Sequence, residues 1–402
     1  MAGHAFRLEG MMDRRDFLTG AVVISGMTAL MPLANSASRS LEYVRYYDTN
    51  VGAPVRTSCY FGKHTQWAYC AANGKLYAYG GDGDWRLPDV GFKQQQSLNC
   101  VLSYDFAKGA LFKQETPQFG RAQDGTMPYF HDGCTWVYNT QEHKFYAIPG
   151  YQPTYSASQD PHRIARSGIV HKFDPATGAW EAGPTVGTHW VGEHWGGCYD
   201  SKRNRIWIQT AIGNEYGGLK WFDCTTQTWG KVGVNRTPNL ARFPNIGFEL
   251  ITSAWCQRYN PVTDEIICFD ARRGHVIAVP LRGLPEPPTP RIVSNVPQYR
   301  NDVAGEPIGT IEAGVCISVK RQQVFISYSK QRHYVVGGVG GVWTIALADG
   351  TSGHVDYPNP PGVDSQWTQA EYDDTNDCLI LAANIEDPQI WGRRFLWYRF
   401  LN

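Results

Sequence analysis

A short strand-like phrase that returns six times, a composition rich in turn formers and aromatics, and one alternating stretch ahead of the first phrase predict an all-β chain. The expected architecture is a six-bladed β-propeller whose last blade is closed by an N-terminal strand. The 402 residues include 42 Gly, 24 Pro, 22 Tyr and 14 Trp, a mixture that suits short aromatic strands joined by many turns. Lys+Arg and Asp+Glu both number 37, so the net charge is zero with His neutral. That balance offers no basic excess for nucleic acid or for an anionic membrane surface.

Residues 14–18 read RRDFL, which resembles the twin-arginine export motif. Residues 21–33 are apolar but interrupted by Gly and Thr, and too short for the roughly 20 residues a membrane helix needs. Ala34, Asn35 and Ser36 supply small residues for cleavage. The resemblance implies a signal peptide over 1–37, a single propeller domain over 38–402, and a periplasmic or secreted protein with no stable membrane insertion. Residues 41–47, LEYVRYY, alternate and are β-prone.

The repeat follows. Its phrases read KLYAY at 75–79, KFYAI at 144–148, RIWIQ at 205–209, EIICF at 265–269, QVFIS at 323–327 and DCLIL at 377–381. Their first residues stand 69, 61, 60, 58 and 54 positions apart. Tyr69, Tyr138, Tyr199 and Tyr259 each stand six before a phrase, Tyr372 stands five before the last, and Ile317 replaces the tyrosine in the fifth. The spacing in the last unit reads as a one-residue deletion. Asn139, Asp200, Asn260 and Asp373 follow four of these tyrosines, and Asx side chains stabilise such turns by bonding the nearby backbone. Each unit therefore opens with a hairpin of near-constant register. The last unit ends where a third strand would end, so the stretch at 41–47 is expected to pair with the C-terminal strand and remove an open edge.

A second phrase places Tyr104-Asp105, Phe173-Asp174 and Phe222-Asp223 ahead of Leu111, Trp180 and Trp229, with six residues from each Asp to the apolar residue. Together with Gly80-Gly81 after the first strand phrase, it resembles the kelch repeat, in which four antiparallel strands form each blade. The resemblance covers most of residues 65–402 and implies a propeller of the galactose-oxidase and kelch superfamily. All ten cysteines follow the export segment. Most sit in apolar strand-like runs, as Cys70, Cys198, Cys256, Cys268 and Cys316 do. They read as packed free thiols, and there is no C-x-x-C pair for zinc.

In a propeller of this kind, the connections entering the first strand and those joining the second to the third meet on one face. Here they are long: 80–96 carries Arg86, 151–167 carries Tyr155, Arg163 and Arg166, and the Pro-rich 282–309 leads towards the fifth first strand. Long loops on a rigid scaffold are where function concentrates. His64 and His194 stand eleven residues before their phrases and His131 thirteen before its own, so strand alternation gives all three one parity. Arg272 and Arg393, each in an Arg-Arg pair, are expected in loops of the same face.

These residues support a carbohydrate-active enzyme, with a polysaccharide lyase on uronate-containing glycans as the leading case. His131, His194, Tyr155 and Arg166 would carry the base and the neutralisation of the carboxylate. His64, Arg86, Arg163, Arg272 and Arg393 would bind substrate. The expected partner is a glycan or other small molecule in the funnel on that face, and the chain is expected to be a monomer. A non-catalytic glycan- or protein-binding propeller is the alternative, and a sugar mutarotase or epimerase stays open. The histidines also read simply as loop-bracing groups. A divalent metal on His64, His131 and His194 is the remaining cofactor option. No H-x-x-x-H pair occurs, and His189 and His194 would face opposite ways on one strand. A copper-radical oxidase is disfavoured because no Tyr-His dipeptide is present.

Overall fold

The computed structural model describes residues 41–48, 66–79, 101–105, 113–116, 122–125, 135–149, 169–186, 197–209, 218–233, 257–270, 275–296, 314–328, 341–356, 365–385 and 393–400. Every regular element among them is a strand. In chain order these are β1 (Leu41–Asp48), then β2 (Gln66–Cys70), β3 (Lys75–Tyr79), β4 (Val101–Asp105) and β5 (Lys113–Gln114). The next group is β6 (Thr135–Asn139), β7 (Lys144–Ile148), β8 (Ile169–Asp174) and β9 (Ala179–Thr185). It is followed by β10 (Gly197–Asp200), β11 (Arg205–Gln209), β12 (Gly218–Asp223) and β13 (Thr228–Gly233). Then come β14 (Gln257–Asn260), β15 (Glu265–Asp270), β16 (His275–Pro280) and β17 (Arg291–Asn295). The last are β18 (Gly314–Ser318), β19 (Gln323–Tyr328), β20 (Gly341–Ala346), β21 (Ser352–Asp356), β22 (Ser365–Asp373), β23 (Cys378–Ile385) and β24 (Arg393–Phe400).

Five sheets are each built from four consecutive strands, β2–β5, β6–β9, β10–β13, β14–β17 and β18–β21. A further four-stranded sheet has the order β22-β23-β24-β1, so the first strand of the chain lies beside the last. Leu41 faces Phe400 and Asp48 faces Arg394 across that antiparallel pair. The first strands touch in the cyclic order β2, β6, β10, β14, β18, β22 and back to β2. Sheets stacked face to face around an axis, with their first strands innermost, make the domain an all-β propeller.

One five-residue offset sets the register of every first hairpin. Cys70 pairs with Lys75, Asn139 with Lys144, Asp200 with Arg205, Asn260 with Glu265 and Ser318 with Gln323. Asp373 pairs with Cys378 in the same way. This corrects the spacing read from sequence. Asp377 is the last turn residue, with φ at 57°, and the strand begins at Cys378. Tyr372 therefore stands six before its strand like the other tyrosines, and no residue is deleted.

A second correction concerns the Pro-rich stretch. Residues 281–290 form the turn joining β16 to β17, so only the part beyond Val296 leads towards β18. The strand RIVSN was hidden because its flanks are dense in proline, which cannot donate to a ladder.

The core lies between neighbouring sheets. Tyr79 stacks on Trp136 of the next sheet with ring centroids 4.8 Å apart, and Phe325 stacks on Tyr372 at 5.0 Å. The repeat aromatics Phe173 and Trp180 face one another across β8 and β9, as do Phe222 and Trp229 across β12 and β13. Cys70, Cys198, Cys224, Cys268, Cys316 and Cys378 are buried free thiols, packing as small apolar groups. Cys256 lies outside the described residues.

Candidate functional site

Antiparallel pairing gives the sheets two unlike rims. The start of each first strand lies opposite the end of the second, as in Gln66 with Tyr79, Thr135 with Ile148 and Gly197 with Ile208. Long connections leave from this rim. The other rim carries the short turns between first and second strands, and the connections between third and fourth, among them the Pro-rich 281–290.

His64, His131 and His194 precede β2, β6 and β10 in sequence. Arg86 falls between β3 and β4, Tyr155, Arg163 and Arg166 between β7 and β8, and Arg272 between β15 and β16. All eight lie outside the described residues. The strand ends that flank them belong to the long-connection rim. Arg393 differs from expectation, because it opens β24 opposite Asn384 rather than standing in a loop. As the first residue of a third strand it is still at that rim.

The turn rim is built from the residue just before each second strand. Gly74, His143, Asn204, Asp264, Gln322 and Asp377 all have positive φ, between 51° and 66°. This left-handed conformation is costly for residues with a β-carbon, and here the side chains offset the cost. His143 Nδ1 lies 3.2 Å from the Tyr138 hydroxyl. The Tyr199 hydroxyl donates to Asn204 at 3.0 Å, Tyr259 to Asp264 at 3.0 Å, and Tyr372 to Asp377 at 2.5 Å. In four units the recurrent tyrosine is thus the partner of the strained turn residue. Where Ile317 replaces it, Gln322 donates to the Val319 carbonyl at 2.7 Å.

The same residues join neighbouring sheets. Asn139 donates to Asn204 at 2.8 Å. Arg203 grips Asp264 with two bonds of 2.6 and 2.7 Å and also reaches Asp200 at 2.9 Å. Asn260 donates to Gln322 at 3.1 Å, Arg321 pairs with Asp377, and Ser318 donates to Asp374 at 2.5 Å. Tyr69 joins the last sheet to the first by donating to Asp373 at 2.7 Å; away from this rim, in mid-strand, the Trp136 indole links the first two sheets by donating to the Tyr77 carbonyl at 3.4 Å. The Arg203 guanidinium holds the Asp264 carboxyl far below the usual carboxylate range. This rim is a structural belt whose polar groups are spent on each other.

The axis carries a different arrangement. Arg258 on β14 reaches past β18 to β22, where it donates to Glu371 Oε1 at 2.7 Å and to the Ala370 carbonyl at 3.1 Å. It also donates to the Gln257 carbonyl at 2.9 Å. The equivalent positions on the other first strands are Ala68, Val137, Cys198 and Cys316, all uncharged. The pair is only partly covered, with side-chain exposures of 24% and 18%. Burial raises the Glu371 carboxyl above its ordinary value, with Arg258 acting in the opposite direction. Sequence reading missed this pair because its partners lie on non-adjacent units; the one signal was a charge at a register position that is otherwise small and apolar.

His171, on a third strand, is fully buried. Burial lowers it to about 4, and its Nδ1 lies 3.1 Å from the Ile169 carbonyl. A neutral imidazole edge-on to Trp180 is a packed group, away from the axis. Among the described residues, no group of three or more His, Cys, Asp or Glu is arranged to hold a metal.

No protein-family model matches the chain, and no curated protein matches it. A structural-genomics protein of unknown function from Bacteroides thetaiotaomicron is similar in structure, with a TM-score of 0.48 and 13% identity over 86% of this chain and 71% of that one. The fold rests on the strand pairing described above, and that pairing makes this chain an all-β propeller with one structural rim and one rim of long connections.

Proposed function

We propose that the chain is a six-bladed, kelch-like propeller, exported through a twin-arginine signal over residues 1–37. It acts in the periplasm or outside the cell on carbohydrate, as a polysaccharide lyase on uronate-containing glycans. The blade count is supported by the closed cycle of first-strand contacts, with β1 completing the sheet of β22–β24. The observation that carries the functional reading is the asymmetry of the rims. The turn rim consumes its polar groups internally, while the candidate His, Tyr and Arg residues belong in sequence to connections that leave from the other, except Arg393, which opens β24 at that same rim.

In such a reaction a base, His131 or His194 with Tyr155, removes the proton at C5 of the uronate. Its electron pair forms the C4–C5 double bond, the C4–O bond breaks, and the departing oxygen takes a proton. Arg163 or Arg166 pairs with the carboxylate and stabilises the charge that develops during proton removal. His64, Arg86, Arg272 and Arg393 would bind substrate. Incubation with a panel of uronate polysaccharides, followed by absorbance of the new double bond, tests the reading. Activity on at least one polymer that disappears in a His131→Ala/His194→Ala variant is expected. No signal across the panel, or full activity in that variant, refutes it.

A further inference from the structure

Arg258 and Glu371 stand apart from the turn-rim ion pairs. Arg203–Asp264 and Arg321–Asp377 link neighbouring sheets and lie beside short turns. Arg258–Glu371 skips a sheet, joining β14 to β22 across the inner edge of β18. Its guanidinium also meets Ala370's main-chain carbonyl on an innermost strand. Both side chains remain partly exposed, unlike the fully packed thiols of Cys198 and Cys316 near them. A cation held at the axis, reachable by solvent and already satisfied by one carboxylate, is built to exchange that carboxylate for another.

We propose that Arg258 is the carboxylate-recognising group at the floor of the ligand funnel, and that an acidic sugar binds there by displacing Glu371 from it. This deepens the reading of a carbohydrate-binding rim and rests on it. Before binding, Glu371 accepts from Arg258, whose charge opposes the upward pull of burial on its carboxyl. When the ligand's carboxylate takes over the guanidinium, Glu371 is left covered without its cation and takes up one proton from solvent. Charge is conserved at the site: one carboxylate arrives, one is neutralised.

Few other described titratable groups could supply or compete for that proton. Cys316 on β18 and Cys198 on β10 face the pair, and burial pushes both thiols well above their ordinary value. Asp374 lies in the turn after β22. On β2, Tyr69 is engaged with Asp373, and Cys70 is buried; on β23, Cys378 is buried. Glu371 is the carboxylate that accepts from Arg258, at 2.7 Å.

The test is calorimetric titration of the full chain with oligogalacturonate, and with the same oligomer carboxyl-reduced to its neutral form, in two buffers of different protonation enthalpy. The acidic oligomer should bind with net proton uptake, weakening by up to about tenfold per pH unit as pH rises through the window where Glu371 exchanges its proton. Glu371→Gln, which mimics the protonated state, should bind at least tenfold more tightly and lose the pH dependence. Arg258→Leu should lose binding of the acidic oligomer while melting cooperatively. Binding without proton uptake, or unchanged binding in Arg258→Leu, overturns the exchange. Should Arg258→Leu fail to fold, a pH-dependent Glu371→Gln variant overturns it equally. Equal binding of acidic and neutral oligomers refutes the role of Arg258 but leaves the carbohydrate-binding rim standing; binding of neither refutes both.

Discussion

Asp264 occupies a backbone conformation that residues with a β-carbon resist, and three side chains repay it: Arg203, Tyr259 and Lys202. Removing one partner of a covered ion pair strands the other, at a cost of about 3–5 kcal/mol. Asp264→Ala is therefore expected to lower unfolding stability by about 3 kcal/mol, read from urea denaturation. The pH dependence has a definite sign. The folded carboxyl is held below its unfolded value, so its contribution is complete above the ordinary Asp range of about 4 and is lost as pH falls further. Asp264→Asn should lack that share of the acid-limb slope, and an unchanged slope between pH 5 and 2 would remove the argument. Gly74 and Gly230 make a contrasting pair. Gly74 shares the left-handed turn site with five side chains, and a β-carbon there meets only the Tyr69 hydroxyl at 3.9 Å. Gly230 lies under the Trp221 ring, which a β-carbon would strike. Gly74→Asn should change stability by less than about 1 kcal/mol. Gly230→Ala should cost about 1–3 kcal/mol, with thermal melts separating the two.

At the scale of elements, the hairpins were the most legible feature and the strand ends the least. A tyrosine six residues before the strand phrase is visible in four of the six units, and an Asx follows the tyrosine in four. The structure shows both at work: Asp200 accepts from the amides of Lys202 and Arg203 at 2.9 and 3.1 Å. The left-handed residue between them was not legible, because Gly, His, Asn, Asp and Gln all fill it and no single residue type marks the place. Mistaking Asp377 for a strand residue followed directly, since its φ and not its chemistry puts it in the turn. The Arg258–Glu371 pair was illegible for another reason: the partners are 113 residues apart and on units that do not adjoin. The element that most needs testing is β1. Without it, β24 would present an unpaired edge, a template for association between chains. Deleting residues 41–48 is expected to lower the melting temperature and to shift the protein towards larger species in size-exclusion chromatography.

The propeller is a ring, and its coherence depends on contacts far apart in sequence. Tyr69 and Asp373 are 304 residues apart yet 2.7 Å from each other. The buried thiols report on that ring. Burial raises Cys224 to about 12 and takes Cys198 and Cys316 well above their ordinary value, so little reactive thiolate is present at neutral pH. In the native protein these three, with Cys70, Cys268 and Cys378, should resist alkylation over hours, as read by peptide mass spectrometry. In denaturant all six should label within minutes. Labelling of a single sheet's thiols at low denaturant would mean that blades open separately instead of with the ring.

Leu41 lies directly across from Phe400, so the two ends of the propeller meet on neighbouring strands at one rim. A tight hairpin could join them, and the backbone would then be an unbroken loop that can be reopened elsewhere. The turn at 71–74, which is short and has three exposed residues, is a natural place to cut. A circularly permuted chain starting there would trade the β1 clasp for a different one, and would show whether the ring depends on where its seam falls.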